Sequence, residues 1–426
     1  MLVSFTRRVL RSNYYYIFIY HLDTQPFARS IYDTIPDGYK LGHGDRSPLY
    51  NYYVDPKQKE EEDETWKNLV PCPQELINEF PHNTVIANLN ELRDINRCVG
   101  RYQPSEADES IGMEDGIYGQ LSYVGMDQMR GVGKVILARY KDEIEELQAK
   151  NIDIPVTGTV ARRTQLSAFC VLEELYKGKN LHIPPVYISN KECCILNRYN
   201  PSLKKLTVKR LQQPDFKQLE ESHKIPPELV TYIQKHTNYI YRDVVEYARL
   251  YDYINTHQKH NLPIDPKIKG LYGNSHFFMM QKYMFLHTTP DIFVQTSSPL
   301  ATFLYNNINK NYMSNIQIFS AHDTTLLSLL YMLSPQSALE MPPYGSYIAI
   351  EYYVPVEKNS TLPPVITMVY NNKRVPIYVY GEEKYQFCPL RIFRRILSFK
   401  PHMLEALNTM REDYLQDLLT IIPPSA

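Results

Sequence analysis

The chain has 426 residues, 43% of them apolar and 22% charged, with a formal net charge of −1. Those values fit a globular protein with a substantial core and exclude a disordered, collagen-like or coiled-coil chain. The near-zero charge argues against a broadly basic surface for nucleic acid.

Arg7, Arg8 and Arg11 precede a short apolar stretch, residues 14–20. The stretch fits a Tyr-rich signal-type segment lacking a small-residue cleavage site, and it fits a buried β-strand equally well. Residues 1–36 are accordingly set apart as an N-terminal segment, either a signal or anchor remnant or a mispredicted stretch of the gene. No run of 18 apolar residues occurs, so no membrane anchor is evident in the chain. Residues 55–67 form a charge run read as a solvated loop, and 101–118 are polar and irregular. Apolar spacing predicts helix over 125–150, a short strand over 152–160 and a helix over 163–176. Residues 183–225 are punctuated by Pro and read as irregular, and 228–256 as one or two Tyr-rich helices. A strand over 315–320 runs into Ala321-His322-Asp323, and Thr324 opens a helix. Residues 346–354, 365–370 and 376–380 alternate like strands, and 390–397 and 403–419 are helical. Strands separated by helices predict an α/β fold with a largely parallel sheet. Its core would span 37–189 and 296–426, with 190–295 inserted as a helical cap lobe.

Three segments carry chemistry. In His43-Gly44-Asp45-Arg46-Ser47-Pro48, imidazole can act as a nucleophile, Gly lets backbone N–H groups approach an anion, and Arg offers a planar fork to phosphate oxygens. In isolation it could equally be a surface turn. Ala321-His322-Asp323-Thr324 brings His322 and Asp323 to the carboxyl edge of a sheet, where ligands bind in open α/β folds. The bland alternative there is a plain helix cap. Arg162-Arg163-Thr164 starts a helix after a strand, so one arginine could face the same cleft or merely solvent. His257 and His260 read as a solvated helix end, more so than as a metal pair. The six cysteines include no CxxC pair, so a zinc site is not expected.

Taken together, the three segments resemble the histidine acid phosphatase family in order and spacing. Gly119-Gln120-Leu121-Ser122 with Gly125, Gln128, Gly133 and Tyr140, then Pro342-Pro343-Tyr344 and Cys388-Pro389-Leu390, are similar to further family blocks. The resemblance implies a histidine-phosphatase (phosphoglycerate-mutase-like) α/β fold, and phosphomonoester hydrolysis with no metal or cofactor. It implies that His43 attacks phosphorus, that Asp323 protonates the leaving oxygen, and that Arg46, Arg163 and His322 bind the phosphoryl oxygens. Arg162 is the less favoured substitute for Arg163. The expected substrate is a phosphorylated sugar or glycan. The blocks HGDRSPLY and FSAHDTTL are most similar to the branch acting on 2-phosphoxylose of the proteoglycan linkage region. That branch implies a Golgi or secretory lumen and a glycosyltransferase partner. A broad acid phosphatase, or an impaired relative that only binds phosphorylated glycans, are the alternatives. The second arises because Gly42 stands where the family has Arg. The apolar strand expected just before His43 is also missing, the chain reading TIPDGYKLGHG. A short deletion between Leu41 and His43 would account for both.

Overall fold

The computed structural model describes residues 10–20, 45–48, 51–71, 117–158, 162–179, 183–184, 186–188, 201–222, 224–237, 245–273, 292, 301, 304–305, 308, 316–338, 342–355, 361–379 and 384–398. In chain order the first elements are β1 (Leu10–Tyr20), α1 (Pro56–Leu69), α2 (Tyr123–Arg139), α3 (Lys141–Ala149), β2 (Val156–Gly158), α4 (Arg162–Tyr176) and β3 (Val186–Ile188). Helices α5 (Pro201–Leu211), α6 (Pro214–Ser222), α7 (Pro227–His236), α8 (Val245–Lys259) and α9 (Pro266–Lys269) follow. Then come β4 (Ile316–Ala321), α10 (Asp323–Leu333), β5 (Tyr347–Pro355), β6 (Val365–Tyr370), β7 (Lys373–Val375), β8 (Ile377–Tyr378), β9 (Lys384–Tyr385), β10 (Cys388–Pro389) and α11 (Leu390–Leu397).

The main sheet runs β10-β6-β5-β1-β4-β2-β3, with β7 also on β6. Residues 14–20 take the strand alternative: β1 lies centrally, parallel to β4 and antiparallel to β5. The sheet is mixed where the sequence led us to expect mostly parallel pairing. Strands β1, β4, β2 and β3 are parallel, whereas β5, β6, β7 and β10 pair antiparallel. For β6 and β7 the reason is local, since no helix separates them. Asn371 and Asn372, at φ 45° and 67°, make the two-residue turn that joins them.

Side chains alternate between the faces of β4. Ile316 and Ile318 pack with α2, α3 and α4 in one buried cluster. Phe319 and Ala321 pack with α10 and α11 in another. A third cluster gathers Phe216, Ile225, Ile233, Leu250, Tyr253, Ile254 and Ile268 around Tyr52.

Two regions read as irregular are helical. The charge run is α1, because Asp55 caps it by accepting from Lys57 N and Gln58 N, Pro56 fits its first turn, and Glu62 and Trp66 are its buried residues. Pro201 and Pro214 open α5 and α6 for the same reason: proline there loses no helical hydrogen bond. Residues 403–419 lie outside the described residues. No helix among the described residues is long and apolar enough to cross a membrane.

Candidate active site

Parallel pairing aligns three strand ends. Tyr20 of β1 lies opposite Ala321 of β4, and Gly158 of β2 lies opposite Ser320. The carboxyl ends of β1, β4 and β2 therefore form one edge. Helix α4 starts at Arg162 and α10 at Asp323, just past β2 and β4 respectively, so both helix N-termini face that edge with their positive ends.

Residues 45–48 are fastened to residues 117–122. Arg46 bridges Leu121, Ser47 N donates to Gln120 O at 3.0 Å and Gly119 N donates to Pro48 O at 2.8 Å. Gly119 makes its turn at φ 69°, a region that side-chain-bearing residues avoid. Asp45 is held at both backbone ends. Ser122 N donates to its carbonyl at 2.8 Å, and its own N–H donates to Gln128 Oε1 at 2.7 Å. Ser122 Oγ, which caps α2 by accepting from Gly125 N at 3.0 Å, also bonds Asp45 O at 2.9 Å. Gly125 is required by this fit. A Cβ there would lie 2.1 Å from Asp45 O and 2.8 Å from Asp45 N.

Hydrogen bonds continue from this loop to the other two segments. Arg163 is buried and its Nη1 donates to Gly119 O at 3.4 Å. The next residue, Thr164, accepts from Ser320 Oγ through its carbonyl at 2.5 Å. Two residues after Ser320, His322 is the N-cap of α10, its carbonyl accepting from Thr325 N at 2.9 Å and Leu326 N at 3.1 Å. Asp323 Oδ1 accepts from Thr324 N at 2.6 Å. Both side chains are buried, His322 at 6% exposure and Asp323 at 7%. The structure thus links Arg46, Arg163, His322 and Asp323 through the 117–122 turn and the β4 end. Of Arg162 the described part is its backbone, which opens α4, and His43 and Gly42 lie outside the described residues.

Behind the loop lies a layer that the sequence concealed. Arg46, 2% exposed, is ion-paired with buried Asp252 of α8. Its Nη1 reaches Asp252 Oδ2 at 3.4 Å and Ser47 O at 2.9 Å. His260 Nε2 lies against Asp45 Oδ2. Burial pushes the Asp45 carboxyl from 3.8 up to about 7, the Ser122 hydrogen bond offsetting part of the rise. Burial also pushes His260 from 6.5 down to about 4, helped by the nearby His257. His257 is not solvated either. At 1% exposure, its Nε2 meets Glu62 Oε1 at 3.0 Å and its Nδ1 meets Tyr253 O at 2.9 Å. The polar end expected of these two histidines is covered by Trp66, edge-on to both rings at 5.8 and 5.0 Å. The signal for Asp252 was a lone acidic residue among Leu250, Tyr251, Tyr253 and Ile254, all buried. Among the described residues, no group of three or more His, Cys, Asp or Glu side chains is placed to share a metal ion.

No family model matches the chain. Solved structures do. The apo multiple inositol polyphosphate phosphatase from Bifidobacterium longum aligns with a TM-score of 0.51 at 11% identity, covering 89% of this chain and 90% of that one. The phytase from D. castellii aligns with a TM-score of 0.50 at 12% identity, covering 91% and 79%. The fold is that of the histidine acid phosphatases. A shared fold does not by itself carry activity; the side chains at the carboxyl edge must.

Proposed function

We propose that the chain is a phosphomonoesterase working through a phosphohistidine at His43. One observation carries this: segments more than 100 residues apart in sequence, holding Arg46, Arg163 and His322-Asp323, are joined by hydrogen bonds at one sheet edge beneath two helix N-termini. Two guanidinium groups, an imidazole and helix ends suit a dianionic phosphoryl group. The names of the structural neighbours, a phytase and an inositol polyphosphate phosphatase, support the same chemistry.

In the first step the His43 imidazole nitrogen attacks phosphorus as the ester P–O bond breaks, and Asp323 gives its proton to the leaving oxygen. Arg46, Arg163 and His322 hold the three remaining oxygens as charge spreads over them. In the second step Asp323 takes a proton from water, the water oxygen attacks phosphorus, and the N–P bond breaks to release orthophosphate. The substrate we favour is a sugar phosphate, with 2-phosphoxylose of the proteoglycan linkage region first, as in 2-phosphoxylose phosphatase. A secretory-lumen location and a glycosyltransferase partner belong to that same proposal. Broad acid phosphatase activity is separated from it by comparing phosphoxylose glycans, inositol phosphates and aryl phosphates as substrates. His43→Ala should abolish phosphate release and the acid-labile phosphoenzyme; unchanged release would overturn the mechanism. Gly42 favours a second possibility, a binder of phosphorylated glycans without turnover, because losing one positioned donor costs about 10²–10³ in rate. Binding of orthophosphate or vanadate by a wild-type chain that releases no phosphate would support the binder.

A further inference from the structure

We propose that α8 and the residue after its end grip the loop through two side-chain contacts, making Asp252 and His260 positioning residues for phosphate binding. The inference rests on the phosphatase function proposed above. Asp252 engages the Nη1 and Nη2 side of the Arg46 guanidinium with both carboxylate oxygens, while the Ser47 carbonyl takes a second bond from Nη1. A guanidinium is planar, so gripping one of its edges sets the direction of the others. His260 meets the neighbouring residue, Asp45, at Oδ2, the same oxygen that receives the Ser122 hydroxyl at 3.1 Å. Consecutive residues of one loop are thus tied to two points that α8 spaces eight residues apart.

The far side of α8 is anchored as firmly. Glu62 of α1 binds His257 and accepts from Trp66 Nε1 at 2.5 Å, and the Trp66 ring meets His257 and His260 edge-on. Trp66 is fully buried. Two buried charges are costly unless paired in good geometry, and removing one partner leaves the other uncompensated. Such a pair directly behind a phosphate-binding arginine is explained by orientation: α1 fixes α8, and α8 fixes Asp45 and Arg46.

Asp252→Asn keeps the shape and loses the charge; Asp252→Glu keeps the charge. His260→Ala removes the contact, and His260→Gln puts an amide where Nε2 stood. Each variant is compared with wild type in melting temperature, in KM and kcat on an aryl phosphate, and in orthophosphate affinity by calorimetry. The expected result is that Asp252→Asn and His260→Ala weaken orthophosphate binding and lower kcat/KM at least about tenfold per folded molecule, since a misplacement near 1 Å costs about 10²-fold. Asp252→Glu and His260→Gln should recover part of that loss. If the variants lower the melting temperature while affinity and kcat/KM stay at wild-type values, the two residues are structural only and the inference is overturned. A wild-type chain that neither binds nor hydrolyses phosphate overturns the phosphatase function too, which distinguishes the two failures.

Discussion

Gly125→Ala tests how tightly α2 and the loop are fitted. In an unconstrained helix the change would stabilise by about 0.5–1 kcal/mol. Here the new methyl would sit 2.1 Å from Asp45 O, 2.8 Å from Asp45 N and 2.8 Å from Leu121 Cδ1, while ordinary contact begins near 3.4 Å. The Leu121 methyl can rotate away. The two backbone atoms cannot, because the carbonyl is held by Ser122 N and Ser122 Oγ and the amide by Gln128 Oε1. Relief therefore needs a shift of about 1.3 Å, the difference between 3.4 and 2.1 Å, in the loop or the helix. Overpacking of this kind costs about 1–3 kcal/mol, more than the helix gain. The same shift applied to Arg46 should lower kcat/KM about 10²-fold. Urea unfolding and steady-state kinetics on an aryl phosphate measure the two effects. A variant as stable and as active as wild type would refute the rigid fit.

Gly133→Ala should separate stability from chemistry. Its Cβ would meet Val171 O at 2.8 Å and Glu174 Cβ at 2.9 Å, prying α2 from α4, so the urea midpoint should drop by the equivalent of about 1–3 kcal/mol while KM per folded molecule holds. Asp323→Asn should cut kcat about 10²–10⁴-fold on alkyl phosphates and less on nitrophenyl phosphate, whose leaving group needs no proton; equal losses on both would refute the acid role. The Asp45–His260 pair sets a pH prediction. Asp45, raised from 3.8 to about 7, contributes stability that is present below 3.8 and lost as pH rises through 7. His260, lowered from 6.5 to about 4, contributes stability that is present above 6.5 and lost as pH falls through 4. From pH 4 to 6.5 the two slopes oppose each other and nearly cancel. Asp45→Asn leaves the histidine alone, so its unfolding free energy should fall by up to about 3 kcal/mol between pH 6.5 and 4 relative to wild type. Parallel stability curves for the two proteins would contradict that assignment.

The parts legible in the sequence were those whose burial repeats. IQIFSA followed by DTTLLSLLYML could be read as a strand running into a helix because its apolar residues recur at strand and then helix spacing, and that junction sets out His322 and Asp323. The α4 start was visible in the same way. Helix α1 was hidden because its face against the molecule is two residues wide, Glu62 and Trp66, with solvent-exposed charge around them. His257 and His260 were hidden because the aromatic ring that covers them comes from nearly 200 residues earlier. Asn371-Asn372 carries a turn signal weaker than Asn-Gly, so the β6–β7 hairpin went unread. The glycines at 125 and 133 matched a family block, but their reason is steric and appears only once Asp45 and Val171 have been brought beside them.

The central place of β1 has a consequence for biosynthesis. Its neighbours on either side, β4 and β5, are encoded some 300 residues downstream, Tyr15 pairing with Ile316 and with Glu351. At roughly 5–20 residues per second, a ribosome takes on the order of 15–70 s to deliver them. For that interval an apolar, Tyr-rich segment waits with both backbone edges unpaired, a natural client for a holdase chaperone and an opening for aggregation if none is present.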